Sequence, residues 1–198
     1  MPMFSEDISQ TGYIADVMAN TRKVKFKDYK TFGDFTRSIL EFTFKSAKNG
    51  HRVDLVFDSY LEKSVKDSER KRRSTVSPTE LNIINKDTPL PVETNRFWAS
   101  GNNKLKLQML LHQETLSMSR EKSRCKQILV SCFSGISVNV SCYSSNSTTC
   151  VEVPELVDNI EEADARIIPH ALHAGKQGIT RIVILSSDTD IFVLLMYH

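Results

Sequence analysis

The chain has 198 residues, of which 40% are hydrophobic and 25% charged. That length and balance suit one mid-sized globular domain and exclude wholesale disorder. No run approaches the roughly 18 consecutive apolar residues of a membrane span, and a net charge of +2 decides nothing by itself.

Roughly two thirds of the extended-chain surface can be buried at this size, so the core requires neither disulfides nor a structural metal. The opening MPMFSEDISQ is acidic, shows no secretory h-region, and reads as a flexible arm over residues 1–10. Cys125, Cys132, Cys142 and Cys150 form no CxxC pair and have no ligand-like spacing with histidine. They read as free thiols in a reducing compartment, which predicts an intracellular protein of the nucleus or cytoplasm. The N-x-S/T triplets at Asn139 and Asn146 then count as chance matches. Charge drifts along the chain. Residues 1–20 hold three acids and no base, residues 21–80 hold 15 bases and 9 acids, residues 81–150 hold 8 and 4, and residues 151–198 hold 3 and 8. Two readings are open: ordinary surface charge, or a phosphate-binding middle beside a carboxylate cluster that needs metal.

In chain order, YIADVM at 13–18 is a short apolar run and a weak strand candidate. Phe32, Phe35, Ile39, Leu40 and Phe42 recur at helical spacing and predict a helix over 32–48, stopped by Asn49–Gly50. VDLVF at 53–57 reads as a strand. Residues 61–73 are helical in pattern but strongly polar. Residues 74–100 hold three prolines and many Ser, Thr and Asn; they read as a loop-rich insertion, with LNII at 81–84 as a short element. Leu105, Met109, Leu110, Leu116 and Met118 predict a long helix over 103–121. QILVSCF at 127–133 is a strand, and the alternation in ISVNVSCY fits an extra strand or hairpin arm. Residues 159–174 read as a helix containing Pro169, RIVIL at 181–185 as a strand, and DIFVLLMYH as a closing apolar run.

Near-continuous apolar strands alternating with helices predict an α/β fold around a mainly parallel sheet covered on both faces. In such sheets ligands gather beyond the carboxyl ends of strands. No GxGxxG or GxxxxGK[ST] pattern is present, which removes the phosphate cradles of dinucleotide and P-loop proteins.

Acidic residues stand where that rule places chemistry. Asp58 follows VDLVF directly; alone, it is equally a turn or cap residue. Asp54, inside the strand, points to a helix terminus or a basic partner. Asp158 and Glu161 resemble a capping box, which predicts a helix starting near Asn159. Glu161 and Glu162 are explained by that first turn, but Asp164 is not. It shares a stripe with Ile160, Ile167 and Ala171, and a carboxylate on an apolar face needs a partner or a metal. Ser186-Ser187-Asp188-Thr189-Asp190, between two apolar runs, is the strongest local signal. Two carboxylates one residue apart suit Mg²⁺ or Mn²⁺, whose charge offsets their repulsion. Carboxylates from separate strand ends beside a basic segment are what two-metal phosphodiester hydrolysis uses. Lys63, Lys66, Arg70, Lys71, Arg72 and Arg73 could hold a nucleic-acid backbone, or form a solvated helix face or a targeting patch. His170 and His173 lack a third ligand and read as structural. Cys132 and Cys142 lack a base, and Ser186 and Ser187 lack a GxSxG context. Trp98 beside Phe97 is a packing anchor or a base-stacking residue. A toprim arrangement would put the glutamate at a strand end, whereas Glu161 and Glu162 open a helix.

VFDS ending in Asp58-Ser59, EEADAR at 161–166 and LSSDTDIFVLL at 185–195 together resemble the PIN-like 5′-nuclease superfamily, the flap and XPG-type structure-specific nucleases. The resemblance covers roughly residues 11–198. It implies an α/β/α sandwich with a mainly parallel central sheet, and a pair of Mg²⁺ or Mn²⁺ ions in a carboxylate pocket acting on DNA or RNA. By resemblance, Asp58 matches the aspartate after the second core strand, Glu162 and Asp164 the E-x-E/D pair, and Asp188 and Asp190 the D-x-D pair. Asp16 matches the first-strand aspartate. The helical wheel favours Glu161 as the inward glutamate and the motif favours Glu162, so both stand as candidates. The basic segment 63–73 resembles the gateway over nucleic acid. The superfamily supplies a further metal-binding aspartate later in the chain, and this chain stops eight residues past Asp190. A C-terminally truncated member is therefore expected. The alternative reading is a catalytically inactive PIN-like domain that binds nucleic acid or a protein.

Overall fold

The computed structural model describes residues 10–47, 50–59, 77–82, 84–122, 128–133, 141–145, 149–160 and 162–197. Six strands form one sheet: β1 (Thr11–Asp16), β2 (Arg52–Val56), β3 (Ile128–Phe133), β4 (Ser141–Ser145), β5 (Cys150–Glu152) and β6 (Arg181–Leu185). Their spatial order is β5-β4-β3-β2-β1-β6. β6, β1, β2 and β3 run parallel, as the apolar runs predicted, and β4 and β5 add the antiparallel arm. Ala15 lies level with Leu55 on one side and Leu185 on the other, so three carboxyl ends meet at one edge. Among the described residues no helix is long and apolar enough to cross a membrane.

The short helix α1 (Val17–Thr21) follows β1 directly, and longer helices cover both faces of the sheet. On one, α2 (Phe32–Ser46), α3 (Thr94–Ala99) and α4 (Gly101–Lys122) bury Phe32, Phe35, Ile39, Leu40, Phe97, Leu107 and Leu111 against Ala15, Val53, Leu55 and Phe57. On the other, α5 (Ala163–Lys176) and α6 (Asp190–Tyr197) set Ala163, Ile167 and Ile191 against Ile14 and Val56. From β1 the chain builds outward through β2 and β3, then returns to place β6 on β1's other side. The connections therefore leave for opposite faces beside β1. That is the switch point where α/β sheets leave a crevice.

Several elements differ from the sequence reading for identifiable reasons. The weak 13–18 candidate overlaps the interior strand β1, flanked by β2 and β6. It is covered by close approach more than by bulk: a Cβ on Gly12 would stand 3.0 Å from Ile179 Cγ2. Phe42, expected in the α2 stripe, is 41% exposed beneath the Lys23 ammonium. Thr36 and Thr43 are buried instead, their hydroxyls donating to the Phe32 and Ile39 carbonyls. α2 itself starts with a capping box between Thr31 and Asp34.

The described part of the 74–100 insertion is tied down. Phe32 and Gly33 N–H groups donate to the Thr88 and Lys86 carbonyls at 2.9 and 2.8 Å. Any side chain at position 33 would meet the Lys86 carbonyl oxygen at 2.7 Å. Buried Asn103 accepts from Leu81 N–H (2.9 Å) and donates to the Thr79 carbonyl (2.8 Å).

α5 begins four residues later than expected, at Ala163. Asp158 is drawn elsewhere: its carboxylate accepts from Ile160 N–H at 2.9 Å and pairs with Arg166 at 3.3 Å. The buried face of α5 is Ala163, Arg166, Ile167, Ile168, His170 and Ala174, so Asp164 stands beside the apolar stripe, half-buried, not within it. Asp54 does have a basic partner. Arg52 clasps it through two 2.6 Å bonds, one to each carboxylate oxygen, His170 Nδ1 lies 2.7 Å from Oδ2, which Arg52 Nη2 also bonds, and Arg52 reaches His173 Nδ1 at 2.9 Å. Both histidines are thus structural links between β2 and α5. Burial alone would raise the Asp54 carboxyl; the bonds from Arg52 and His170 outweigh it and hold it below its ordinary value.

Candidate active site

At the carboxyl edge of β1, β2 and β6 lies a cleft of about 430 Å³. Asp16, Asp58, Glu162, Asp164 and Asp188 all line it, together with Ser187, Thr189, Arg22, Trp98 and Lys104.

Each acid is placed by a local reason. Asp16 ends β1 and caps α1, accepting from Ala19 N–H at 2.9 Å. Asp58 follows β2 by one residue and accepts from Ala163 N–H at 3.1 Å, so it caps α5 from a distant part of the chain. Glu162 is the residue before α5, exposed, and Asp164 lies in the first turn. Their carboxylates stand at the positive end of the helix dipole. Asp188 is exposed; its N–H donates to Ser186 Oγ at 3.1 Å, and its carboxylate accepts from Asp190 N–H at 2.9 Å. One arm of the SSDTD segment thereby caps α6.

Arg166 fixes the wall behind these acids. Fully buried, it donates to the Phe57 and Ile160 carbonyls and to Ser59 Oγ (3.1 Å), and pairs with Asp158. The strand end carrying Asp58 and the segment leading into α5 are thus held by one guanidinium. The EEADAR motif stands out in the sequence for its acids; its arginine is the part that assembles the site.

Asp16 is the acid under most electrostatic stress. It is 7% exposed, and burial, reinforced by the negative charges of Asp58 and Asp164, pushes its pKa up to about 6 despite hydrogen bonds from Ala19 and Met18 N–H groups. A divalent cation relieves that stress, and carboxylates are its preferred donors. Among the described residues, no three His, Cys, Asp or Glu side chains converge closely enough to hold one ion. The acids share one cleft without meeting at one point.

Not every candidate lines it. Asp190 is the first residue of α6 and lies off the cleft wall, its N–H held by Asp188. Glu161 and the basic set Lys63, Lys66, Arg70, Lys71, Arg72 and Arg73 lie outside the described residues. Arg22 and Lys104, which sequence reasoning passes over, are on the wall; no motif surrounds either. No protein-family model, curated protein or solved structure matches the chain.

Proposed function

We propose that the chain is a divalent-metal-dependent phosphodiesterase of the PIN-like 5′-nuclease type, acting on DNA or RNA. The observation that carries this reading is that Asp16, Asp58, Glu162, Asp164 and Asp188, from four separate chain segments, line one cleft at the sheet's switch point. These carboxylates would hold Mg²⁺ or Mn²⁺ ions, which when bound would supply an activated water and neutralise charge at the scissile phosphate. Asp16 and Asp58, anchored by backbone N–H groups, are the rigid members. Glu162, Asp164 and Asp188 complete the donor set, with Asp190 and Glu161 as outer candidates. Arg22 and Lys104 on the same wall hold the anionic substrate against the acids.

The test is cleavage of flap, hairpin, single-stranded and duplex substrates with Mg²⁺ or Mn²⁺. The wild-type chain is expected to cut at least one of them, and Asp188→Asn to cut none while still binding in EDTA. The lack of a ready three-ligand cluster among the described residues favours a second reading, an inactive PIN-like domain that only binds nucleic acid or a protein. Wild-type binding without cleavage under both metals would establish it and overturn the first.

The basic segment is assigned the role of backbone contact. Neutralising Arg70, Lys71, Arg72 and Arg73 together is expected to weaken binding to all sequences alike. It should also flatten the salt dependence of log K by about 0.9 for each duplex phosphate that is no longer neutralised. An unchanged slope in fluorescence anisotropy would leave RKRR as solvated surface.

A further inference from the structure

A second cavity, about 620 Å³, opens beside the acidic cleft and shares Thr21, Arg22, Trp98 and Lys104 with it. Its charge is the opposite. Arg22, Lys25, Lys27 and Lys104 line it and, among the described residues, no acid does, whereas the adjoining cleft has five acids. Arg22, Lys25 and Lys27 are exposed. At the junction stands Trp98, half-buried, its ring braced by Phe97 at 5.0 Å and Phe26 at 5.3 Å between centroids. Val24 and the almost fully exposed Val92 add apolar surface to the same groove.

We infer that this groove is the approach path of a single-stranded nucleic acid, with Arg22, Lys25, Lys27 and Lys104 on its phosphates and an unpaired base stacked on Trp98 at the entrance to the acidic cleft. The inference rests on the nuclease reading for what the cleft does, but not for binding. Its reasoning is chemical. A polyanion is drawn to the cationic groove and repelled by the acidic cleft unless a phosphate is delivered there to bound metal. A cation row beside an aromatic face is the combination that holds single strands without sequence preference. Bases within a duplex are stacked on one another and offer no free face to Trp98, so the groove selects an unpaired segment.

Trp98 is the chain's one tryptophan, so fluorescence excited at the red edge of the indole band, where the five tyrosines do not absorb, reports on it alone. The wild-type chain in EDTA is titrated with oligo-dT and oligo-U of about a dozen nucleotides, and with a blunt duplex of equal length. Both single strands, or one if sugar identity matters, are expected to quench Trp98, and the duplex is not. The triple variant Arg22→Gln, Lys25→Gln, Lys27→Gln changes exposed side chains only. It should weaken single-strand binding and lower the salt slope by up to about 2, at about 0.7 per phosphate released. Trp98→Leu should weaken binding about 5- to 150-fold, the span of one base–aromatic stack. Because Trp98 packs on Phe26, the triple variant is the decisive arm should Trp98→Leu misfold. Trp98 left unquenched by both strands, equal quenching by duplex, or an unchanged slope in the triple variant overturns the inference, even where metal-dependent cleavage is observed. Quenching without cleavage overturns the nuclease reading and leaves the groove.

Discussion

Asp16→Asn is expected to make the metal-free protein more stable at neutral pH, not less. The folded-state pKa of about 6 lies above the ordinary 3.8, so between those values the folded protein binds a proton that the unfolded chain has released. The stabilisation linked to this group is complete below about 3.8 and is lost as pH rises through 6. A gap of about two pKa units corresponds to about 3 kcal/mol of folding free energy forgone at pH 7. Asparagine removes the charge while its Oδ1 can still accept from Ala19 N–H, so the cap on α1 is retained. Thermal melts should show the variant about 6–12 °C above wild type at pH 7, with the difference closing near pH 4. Metal reverses the order. Under the proposed function, saturating Mn²⁺ raises wild type by about 4.1 kcal/mol at one thousand times its Kd, more than the roughly 3 kcal/mol forgone, and leaves Asp16→Asn nearly unmoved. A variant that melts lower than wild type at pH 7, or gains equally from Mn²⁺, would remove Asp16 from the metal site.

That crossover concerns a residue in the least legible strand. β2, β3 and β6 announce themselves as near-continuous runs rich in Val, Ile and Leu; β2 is buried along its whole length, whereas β6 is an edge strand no more than half-buried. TGYIAD is buried almost throughout, but Gly12 and Ala15 lie where neighbours come close, and small residues carry no apolar signal. The long helix α4 is visible from its apolar spacing, yet Asn103, Gln108, His112 and Thr115 share its buried face and blur the period. α3 has six residues, too few to show a period at all. The acids of the cleft are legible as a class, since each follows a strand or opens a helix. What local sequence cannot contain is the non-local bonding: Asp58 capping α5 across 105 residues, or Arg166 clamping the ends of two segments. The misplaced start of α5 follows directly. Neighbours three apart suggest a capping box, while Asp158 is engaged with Arg166 and the cap comes from β2's end.

Arg52→Ala is the substitution expected to cost most. Arg52 is 1% exposed and Asp54 fully buried, and their two 2.6 Å bonds leave neither carboxylate oxygen without a cationic donor. Removing the guanidinium leaves a buried carboxylate facing only His170, and takes away the bond to His173 Nδ1. Breaking a buried pair from one side costs about 3–5 kcal/mol, a large share of the roughly 5–15 kcal/mol typical of a domain. Urea unfolding should show that loss near neutral pH. It should shrink in acid: the depressed Asp54 pKa contributes stability above the ordinary 3.8 that disappears as pH falls through its folded value. Arg52→Lys should lie between the two, because one ammonium cannot match a planar fork bonded to Asp54 and His173 together. Replacing both partners with apolar residues, Arg52→Met with Asp54→Leu, should recover much of the loss, since no charge is then stranded. A deficit below about 1 kcal/mol in Arg52→Ala would mean that water reaches Asp54. The network joins the start of β2 to the second half of α5, whereas the acids stand at the end of β2 and the first turn of α5. Arg52→Ala should therefore lower the melting temperature while leaving the Mn²⁺ increment of the folded protein in place, the opposite pairing of effects from Asp16→Asn.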